Sequence, residues 1–268
     1  MDNAKFVGSV PTFYDQHLGP VIFEPYADDL SQRVVAITPD GPVLETACGT
    51  GRLTKHLRDK LLTTAKLVAT DLNQGMIDIA VGKFGESFDV EWKQADAMAL
   101  PFSDRAFAAV VNQFGMMFVP DKPAAIREAA RVLRGGGLFA FNVWGSFDEN
   151  PIGRIAHRNV TKFFDTDPPT FYKVPFGFPD PEMWTNLLSE SGFTNIDVHR
   201  LSCDAVSENA KSFATGLVKG NPSIAAIQER NLPVEKIIAS LAEDLIKEGG
   251  DHPFRAKMQA LVFTARTV

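Results

Sequence analysis

The sequence predicts an α/β protein built on a mostly parallel sheet of seven strands, with helices on both faces and a helical cap. Two observations indicate this class. In the first half of the chain, short apolar segments alternate with stretches of amphipathic helical periodicity, which is the pattern of βαβ units. From residue 146 onward, prolines divide the chain into shorter pieces, which is typical of segments added around such a core.

The elements can be assigned in order along the chain. Strands are predicted at 42–45, 67–71, 90–94, 108–111 and 138–144, and two later ones at 196–201 and 258–263 complete the seven. Leu53, Leu57 and Leu61 share one face of a helix after the first strand, and Asn73 opens the next helix. A further helix is expected from Asp121 to Leu133, ended by the three glycines at 135–137. Other helices are predicted between Asp180-Pro181 and Gly192, and two or three more within 207–248.

The chain divides into three predicted parts. Residues 1–35 are expected to form a helical lid, residues 36–145 the α/β core, and residues 146–268 the cap insertions together with the last two strands of the sheet. Because loops over a fixed scaffold carry specificity, the lid and the cap are where we expect the substrate to be selected.

Composition excludes several classes of protein. The 268 residues are 45% hydrophobic and 22% charged, which is an ordinary globular mixture. The net charge of −6 argues against nucleic acid or an anionic membrane as the main partner. No apolar run approaches the roughly 20 residues of a membrane span, and the two cysteines are too few for a disulfide framework. These features favour a cytoplasmic protein that acts on a small molecule, and they leave a homodimer open.

The most informative segment is the turn that follows the first strand. There Gly49 and Gly51 lead from the strand into a helix, so that a ligand can approach the backbone closely and meet the free N–H groups of the helix. Asp71 ends the second strand 20 residues after Gly51, the offset expected of an acid that accepts hydrogen bonds from ribose hydroxyls. This arrangement predicts a site for an adenine nucleoside.

Two residues bear on which nucleoside is bound. A dinucleotide fingerprint would place its third glycine at position 54, where the sequence has Thr54. Glu45 brings a carboxylate to the turn, which would repel a pyrophosphate and attract an ammonium or sulfonium group. Both observations favour S-adenosylmethionine (SAM) over a nicotinamide dinucleotide.

The segment from Glu45 to Gly51 resembles motif I of the class I SAM-dependent methyltransferases, usually E/D-x-G-x-G-x-G, with Ala47 in place of the first glycine. Segments 69–73, 94–102, 112–114 and 131–137 resemble later motifs in the order of that family. The similarity covers roughly residues 40–145 and is greatest to the subgroup that includes ubiquinone- and menaquinone-biosynthesis methyltransferases. It implies a Rossmann-like sheet with SAM as the cofactor.

The resemblance also implies the residues that hold the cofactor. Asp71 matches the ribose-binding acid of the family and Asp96 the acid that receives the adenine amino group, while Tyr14 matches a position in the lead-in helix near the methionine end. The full set of predicted cofactor-binding residues is Tyr14, Glu45, Ala47, Gly49, Gly51, Asp71, Leu72, Met76, Asp96, Ala97, Asn112 and Phe114.

Three functions remain open at this point. The first is a SAM-dependent methyltransferase for a small molecule. The second is an NAD(P)-dependent oxidoreductase with a Rossmann fold, which shares the logic of the glycine turn and the strand-end acid. The third is a SAM-binding protein without catalysis. Thr54, Glu45 and the segment around Asp96 count against the second function.

Neither a catalytic base nor a metal site is predicted. His17 and His157 lie in segments expected to cover the cleft, but nothing in the sequence distinguishes either from a surface histidine. Metal-binding pairs such as H-x-x-x-H or C-x-x-C do not occur. Methyl transfer from SAM requires mainly that the acceptor is aligned and that water is excluded.

Aromatic residues are concentrated in the predicted cap. From this we expect an apolar or aromatic acceptor, although the same rings could simply pack the cap onto the core. The residues concerned are Phe163, Phe164, Phe171, Tyr172, Phe176 and Phe178.

Overall fold

A computed structural model describes residues 5–37, 41–85 and 88–268, so that residues 1–4 of the predicted lid lie outside the described residues. Within these ranges, seven strands form one sheet in the order β3-β2-β1-β4-β5-β7-β6. The strands are β1 (Val43–Thr46), β2 (Leu67–Asp71), β3 (Glu91–Gln94), β4 (Phe107–Gln113), β5 (Leu133–Trp144), β6 (Phe193–Ser207) and β7 (Phe254–Thr267). The pairs among β1 to β5 are parallel, and β7 is antiparallel to both β5 and β6. The predicted seven-stranded, mostly parallel sheet is confirmed.

Helices connect the strands and cover the sheet. Three consecutive helical segments precede β1: α1 (Val10–Phe13), a π-helix (Tyr14–Phe23), here called the lid helix, and α2 (Glu24–Ile37). The other helices are α3 (Arg52–Lys60), α4 (Gln74–Phe84), α5 (Lys122–Val132), α6 (Pro151–Thr161), α7 (Pro181–Glu190), α8 (Ala210–Lys219), α9 (Ser223–Glu229) and α10 (Val234–Gly249). None of the helices described is long and apolar enough to cross a membrane.

Apolar side chains on both faces of the sheet hold these helices in place. Leu30 of α2 and Leu57 of α3 are fully buried in a cluster with Ala109 of β4 on one face. Ile126 of α5 and Trp184 of α7 are fully buried in the cluster that covers the other face. Because successive side chains of a strand point to opposite faces, the continuous apolar run of β4 buries residues on both.

The topology leaves a crevice at one edge of the sheet. After β3 the chain crosses to the other side of β1 to form β4, so β1 lies between β2 and β4. The crossover connections therefore diverge at the carboxyl ends of β1 and β4, where Thr46 pairs with Asn112. Open α/β sheets bind ligands at this switch point.

Several element boundaries differ from those predicted, most of all at β5, β6 and β7; β7 extends from Phe254 to Thr267, beyond the predicted 258–263 at both ends. The glycines at 135–137 do not follow a helix that reaches Leu133: α5 ends at Val132, and β5 begins at Leu133 and includes them. Thr267 of β7 explains the difference, because its Oγ1 accepts from Gly137 N and donates to Arg134 O. β6 is also longer than the predicted strand at 196–201, since it pairs with β7 from Phe193 to Ser207.

Candidate active site

One cavity of about 200 Å³ lies at the switch point of the sheet. Its strand-end half is formed by the turns that follow β1, β2 and β3. These residues are Ala47, Gly49, Asp71, Leu72, Asn73, Met76, Ala95, Asp96, Ala97 and Met98. Its aromatic half is formed by the segment before α1, the lid helix, the loop after β4, the end of β5 and the cap. The rings there belong to Phe6, Tyr14, Phe23, Phe114, Phe118, Trp144, Phe171, Tyr172, Phe176 and Phe213.

Asp71 joins the glycine turn to the end of β2. Its Oδ2 accepts from Gly49 N at 2.9 Å and its Oδ1 from Asn73 N at 2.8 Å. Burial raises the pKa of Asp71 even though these amides favour the ionised form. Oδ1 also accepts from Asn73 Nδ2 at 3.4 Å, so the lone pair left for a ligand in the cavity is on Oδ2.

Gly49 and Gly51 both have positive φ angles, of +56° and +81°, but they serve different purposes. Gly49 lines the cavity, with the Tyr14 hydroxyl 4.0 Å from where a Cβ would stand. A Cβ on Gly51 would come within 2.6 Å of the Phe84 ring. Gly51 therefore permits α3 to pack closely against α4. Gly49 is the glycine of this turn that faces the cavity.

Glu45 lies beneath the turn and not on the cavity lining. Its side chain is 1% exposed, and Oε2 has no hydrogen-bond partner. Burial, with a smaller contribution from the nearby carboxylate of Asp71, raises the pKa of Glu45 to about 8. The group is therefore mostly protonated at neutral pH in the absence of a bound cation.

Asn112 organises the opposite wall from behind. Its Oδ1 accepts from Gly115 N and Met116 N, both at 2.9 Å, and its Nδ2 donates to Thr46 Oγ1 at 2.9 Å. The amide thus fixes the turn after β4 and links it to β1. Its side chain is fully buried and is absent from the cavity lining.

Asp96 occupies the turn after β3. Its Oδ1 accepts from Met98 N at 2.8 Å, and this bond holds the loop that carries Ala97 and Met98 into the cavity. Leu72, half exposed at the end of β2, supplies an apolar surface across from this loop. A flat ring with an amino group at its edge could place its face against Leu72 and donate a hydrogen bond to Asp96.

Backbone strain marks the wall between the two halves. Ala47 and Phe114 are non-glycine residues that both have φ of +54°, which costs on the order of 1–3 kcal/mol each. The Phe114 ring stacks on Trp144 with centroids 3.8 Å apart and lies 5.6 Å from the Phe23 ring. The strained backbone thus places a rigid aromatic surface next to the glycine turn.

The lid helix is tied to the glycine turn by Asp15. The Asp15 carboxylate accepts from Thr50 Oγ1 at 2.7 Å and from Lys83 Nζ at 2.6 Å, and Arg52 donates to the Asp15 backbone carbonyl at 3.0 Å. Burial alone would raise the pKa of Asp15, but the bonds from Lys83 and Thr50 hold it below its usual value. Asp15 is therefore a charged anchor between the lid and the turn.

Neither histidine that was expected over the cleft lines the cavity. His17 Nδ1 lies 3.0 Å from Ser212 Oγ, and the His157 ring stacks on Phe147. Among the residues that the structure describes, no group of three or more His, Cys, Asp or Glu side chains could hold a metal ion.

Similarity to known proteins was found along much of the chain. It is 28% identical over 169 residues to a demethylmenaquinone methyltransferase of Staphylococcus saprophyticus, a match that covers 58% of this chain and 71% of the relative. It is 29% identical over 179 residues to the demethylmenaquinone methyltransferase of Lactobacillus johnsonii, covering 60% of this chain and 71% of the relative.

The family comparison decides the assignment. Residues 43–137, from β1 into β5, match the model of a family described as a methyltransferase domain. The chain is a SAM-dependent methyltransferase, similar in this region to the class I enzymes. Its cofactor is SAM and its substrate is a small molecule. An oxidoreductase and a non-catalytic SAM-binding protein are not favoured.

Solved structures resemble the methyltransferase in fold. A SAM-dependent methyltransferase of Thermotoga maritima has a TM-score of 0.54 at 20% identity, covering 98% of this chain and 97% of that one. A phosphoethanolamine N-methyltransferase of Haemonchus contortus, in complex with phosphomonomethylethanolamine and S-adenosylhomocysteine, has a TM-score of 0.53 at 15% identity. It covers 97% of this chain and 60% of that one. These likenesses show the shared fold.

The donor set of the strand-end half fits SAM. Asp71 presents a buried carboxylate suited to ribose hydroxyls, Asp96 with Leu72 and Ala97 suits an adenine ring, and Gly49 leaves room for the chain that follows. The predicted residues that lie on the cavity lining are Tyr14, Ala47, Gly49, Asp71, Leu72, Met76, Asp96, Ala97 and Phe114. The structure places Glu45, Gly51 and Asn112 behind the lining, where they support the turns.

Sequence reasoning missed several lining residues. Phe6 carries no motif, and Asn221 follows α8, far from the glycine turn in sequence. Met98 lies in the motif segment 94–102 but is not among the predicted cofactor-binding residues. Of the aromatic residues noted in the cap, Phe171, Tyr172 and Phe176 reach the cavity. Local spacing gives no signal for such contacts, since they depend on how the cap folds back.

We expect Asp71→Asn to weaken binding of S-adenosylhomocysteine roughly 10- to 150-fold, because one charge-assisted hydrogen bond contributes about 1.5–3 kcal/mol. Calorimetric titration measures this change. The control is Asp78→Asn, the same substitution on α4, where the carboxylate accepts from Gln74 and lies off the cavity lining. Equal affinities in the two variants would show that Asp71 does not bind the ribose.

We expect the stability of the cofactor-free protein to fall as the pH rises from about 5 to 8, in part through Glu45. Its folded-state pKa of about 8 exceeds the ordinary value of 4.5, so the folded state keeps a proton that unfolding releases in this window. The effect is at most about 5 kcal/mol. Glu45→Gln removes it, so this variant gains stability relative to wild type between pH 5 and pH 8 in urea unfolding. The exposed Glu243→Gln serves as the control, and a difference between wild type and Glu45→Gln that does not change with pH would contradict the assignment.

Proposed function

We propose that the methyltransferase transfers the methyl group of SAM to an aromatic or otherwise largely apolar small molecule. The observation that carries this proposal is the aromatic half of the cavity. Its walls are mostly rings and aliphatic side chains, with the amides of Gln113 and Asn221, and the described lining residues include no lysine, arginine or histidine. An acceptor with a carboxylate or phosphate group would find no cationic side chain there, whereas an apolar ring would bury its faces against Phe114, Phe118 and Phe171.

Contacts among these rings support a site for a flat acceptor. Phe118 stacks on Phe171 with centroids 5.8 Å apart, and both rings meet the Phe6 ring edge to face, at 6.1 and 6.3 Å. Phe176 contacts Trp144 at 6.3 Å. Such a surface offers ring faces for stacking, which gives affinity without charge. The demethylmenaquinone methyltransferases among the relatives are named for a quinone, a ring acceptor of this kind.

The chain contributes to the reaction by alignment and by exclusion of water. When bound, SAM supplies a methyl group on a cationic sulfur that is already activated for in-line displacement. The strand-end half would hold the donor, and the Phe114–Trp144 surface would set the angle of the acceptor ring. Leu18, Ile22 and Phe23 of the lid helix complete an apolar wall that keeps water from the reacting atoms.

No basic side chain of the described lining is available to deprotonate the acceptor. The ionisable lining residues are Tyr14, Tyr172, Asp71 and Asp96, and burial raises the pKa of both tyrosines, so they stay neutral phenols. Both aspartates belong to the strand-end half. The acceptor atom is therefore nucleophilic without help from the protein, either as a phenolate or as the carbon of an electron-rich ring.

Three further expectations remain proposals. The two cysteines are free thiols, which fits a reducing compartment such as the cytoplasm. We retain the division into a lid, a core and a cap as a proposal. The lid contacts the core through the side chain of Asp15. A homodimer stays a prediction, to be checked by light scattering.

Comparing acceptors tests the proposal. We expect methyl transfer to 1,4-naphthohydroquinone and no transfer to glycine or phosphoethanolamine. Gly153→Ala should raise the KM of the aromatic acceptor at least several-fold and leave the affinity for S-adenosylhomocysteine unchanged, because a Cβ there would lie 2.3 Å from the Phe176 ring. Gly82→Ala is the control, since its Cβ would meet nothing within 4 Å. Activity confined to small polar acceptors would refute the aromatic-acceptor proposal.

The pH dependence of the rate tests whether the protein supplies a base. We expect kcat/KM for a series of substituted naphthols to rise with pH until the pKa of each free naphthol, so that the midpoint follows the acceptor and not the enzyme. His17→Ala and His157→Ala should leave that profile unchanged. A midpoint that stays fixed across the series would show that an enzyme group removes the proton.

A further inference from the structure

Two buried polar side chains meet on the wall of the aromatic half. Tyr172 lies in a short 3-10 turn (Phe171–Lys173) after α6, and Asn221 lies just beyond the end of α8. Both side chains line the cavity, and both residues are 3% exposed. Polar groups that reach an apolar cavity usually fix the orientation of a ligand there.

The hydrogen bonds of Tyr172 and Asn221 leave one lone pair of the Tyr172 oxygen without a donor. The Tyr172 hydroxyl and Asn221 Nδ2 both donate to the carbonyl oxygen of Leu217, in the last turn of α8. Asn221 Nδ2 also lies 3.2 Å from the Tyr172 hydroxyl oxygen, to which it donates, and Asn221 Oδ1 accepts from Ser223 N at 2.9 Å. The hydrogens of the pair are thus in use, but the Tyr172 oxygen accepts only one of the two bonds it can take.

The charge state of Tyr172 defines what it can bind. Burial raises the pKa of the Tyr172 hydroxyl, so it is a neutral phenol that cannot act as a base. Its remaining lone pair accepts a hydrogen bond from a neutral donor. A second amide of the aromatic half, Gln113, already donates its Nε2 to Phe23 O at 2.9 Å.

We propose that Tyr172, held in place by Asn221, accepts a hydrogen bond from a hydroxyl group on the ring of the acceptor. This inference rests on the proposed function, because it assumes an aromatic acceptor in this half of the cavity. Stacking on rings binds any flat apolar molecule, whereas a single oriented acceptor atom distinguishes a hydroxylated ring from its plain hydrocarbon. The pair is thus a specificity-determining site for a phenol or hydroquinone.

A purely structural role would also explain the contacts, since both side chains cap the last turn of α8. The two roles differ in what Tyr172→Phe does. Asn221 Nδ2 still donates to Leu217 O in that variant, so the end of α8 keeps a partner and the protein is expected to fold. What the variant loses is the Tyr172 oxygen, the atom proposed to accept from the ligand.

The test measures binding of 1-naphthol and of naphthalene, by tryptophan fluorescence, to protein saturated with S-adenosylhomocysteine. We expect wild type to bind 1-naphthol about 3- to 10-fold more tightly than naphthalene, and Tyr172→Phe to bind the two with equal affinity. Tyr26→Phe is the matched control. Its hydroxyl is also buried, donating to Met258 O at 2.6 Å, but Tyr26 does not line the cavity. This control should keep the wild-type ratio, and all three proteins should bind S-adenosylhomocysteine equally.

The other outcomes separate the two proposals. A wild-type ratio retained in Tyr172→Phe, or a loss of affinity for S-adenosylhomocysteine in that variant, would overturn the role of Tyr172 and leave the aromatic acceptor standing. Failure of wild type to bind either naphthalene compound while it binds S-adenosylhomocysteine would overturn the aromatic acceptor itself. The ratio of two ligands on the same variant also cancels any difference in the fraction of folded protein.

Discussion

The hydrogen bond from Gly49 N to the Asp71 carboxylate is the constraint on which the cofactor half of the site depends. β1 and β2 are parallel neighbours, and Thr46 pairs with Thr70, so the turn after β1 and the acid at the end of β2 emerge side by side. The carboxylate then locks the turn in its left-handed conformation at Gly49. Because Asp71 is buried, the bond operates in a medium of low dielectric, where it is strong. The register of β1 and β2 thus determines how the glycine turn and Asp71 are placed relative to each other.

The wall between the two halves of the cavity depends on the small size of the residues at positions 47 and 115. Ala47 stands where the family pattern usually has glycine, and its Cβ fills part of the crevice. A Cβ on Gly115, which follows β4, would come within 2.4 Å of that atom. The absence of a side chain at Gly115 therefore makes room for Ala47. Asn112 then uses the free backbone of Gly115 and Met116 to hold the turn. The extra methyl group of Ala47 is thus accommodated by a glycine on the other side of the crevice, and not by a residue next to it in the sequence.

Sequence reasoning located the elements and the acids, because these are determined locally. Alternation, capping residues such as Asp121 and the offset from Gly51 to Asp71 all lie within short windows. It misplaced the boundary at Leu133 because the strand that draws the glycines into the sheet ends more than a hundred residues later, at Thr267. It grouped Gly51 with the ligand-facing residues because sequence cannot tell which side of a turn meets Phe84. Tyr172 could be noted only as one of several rings, since its partner Asn221 comes from another part of the cap.

The lid helix contributes to both halves of the cavity. Tyr14 at its start lies 4.0 Å from the position of a Cβ on Gly49, while Leu18, Ile22 and Phe23 further along it line the cavity beside the acceptor. Asp15 fastens the same helix to Thr50, the residue between the two glycines. Displacing the lid to admit a cofactor would therefore also remove one wall of the aromatic half. The helix that is fastened to the glycine turn is therefore also a wall of the proposed acceptor site, so the two halves of the cavity share one structural element.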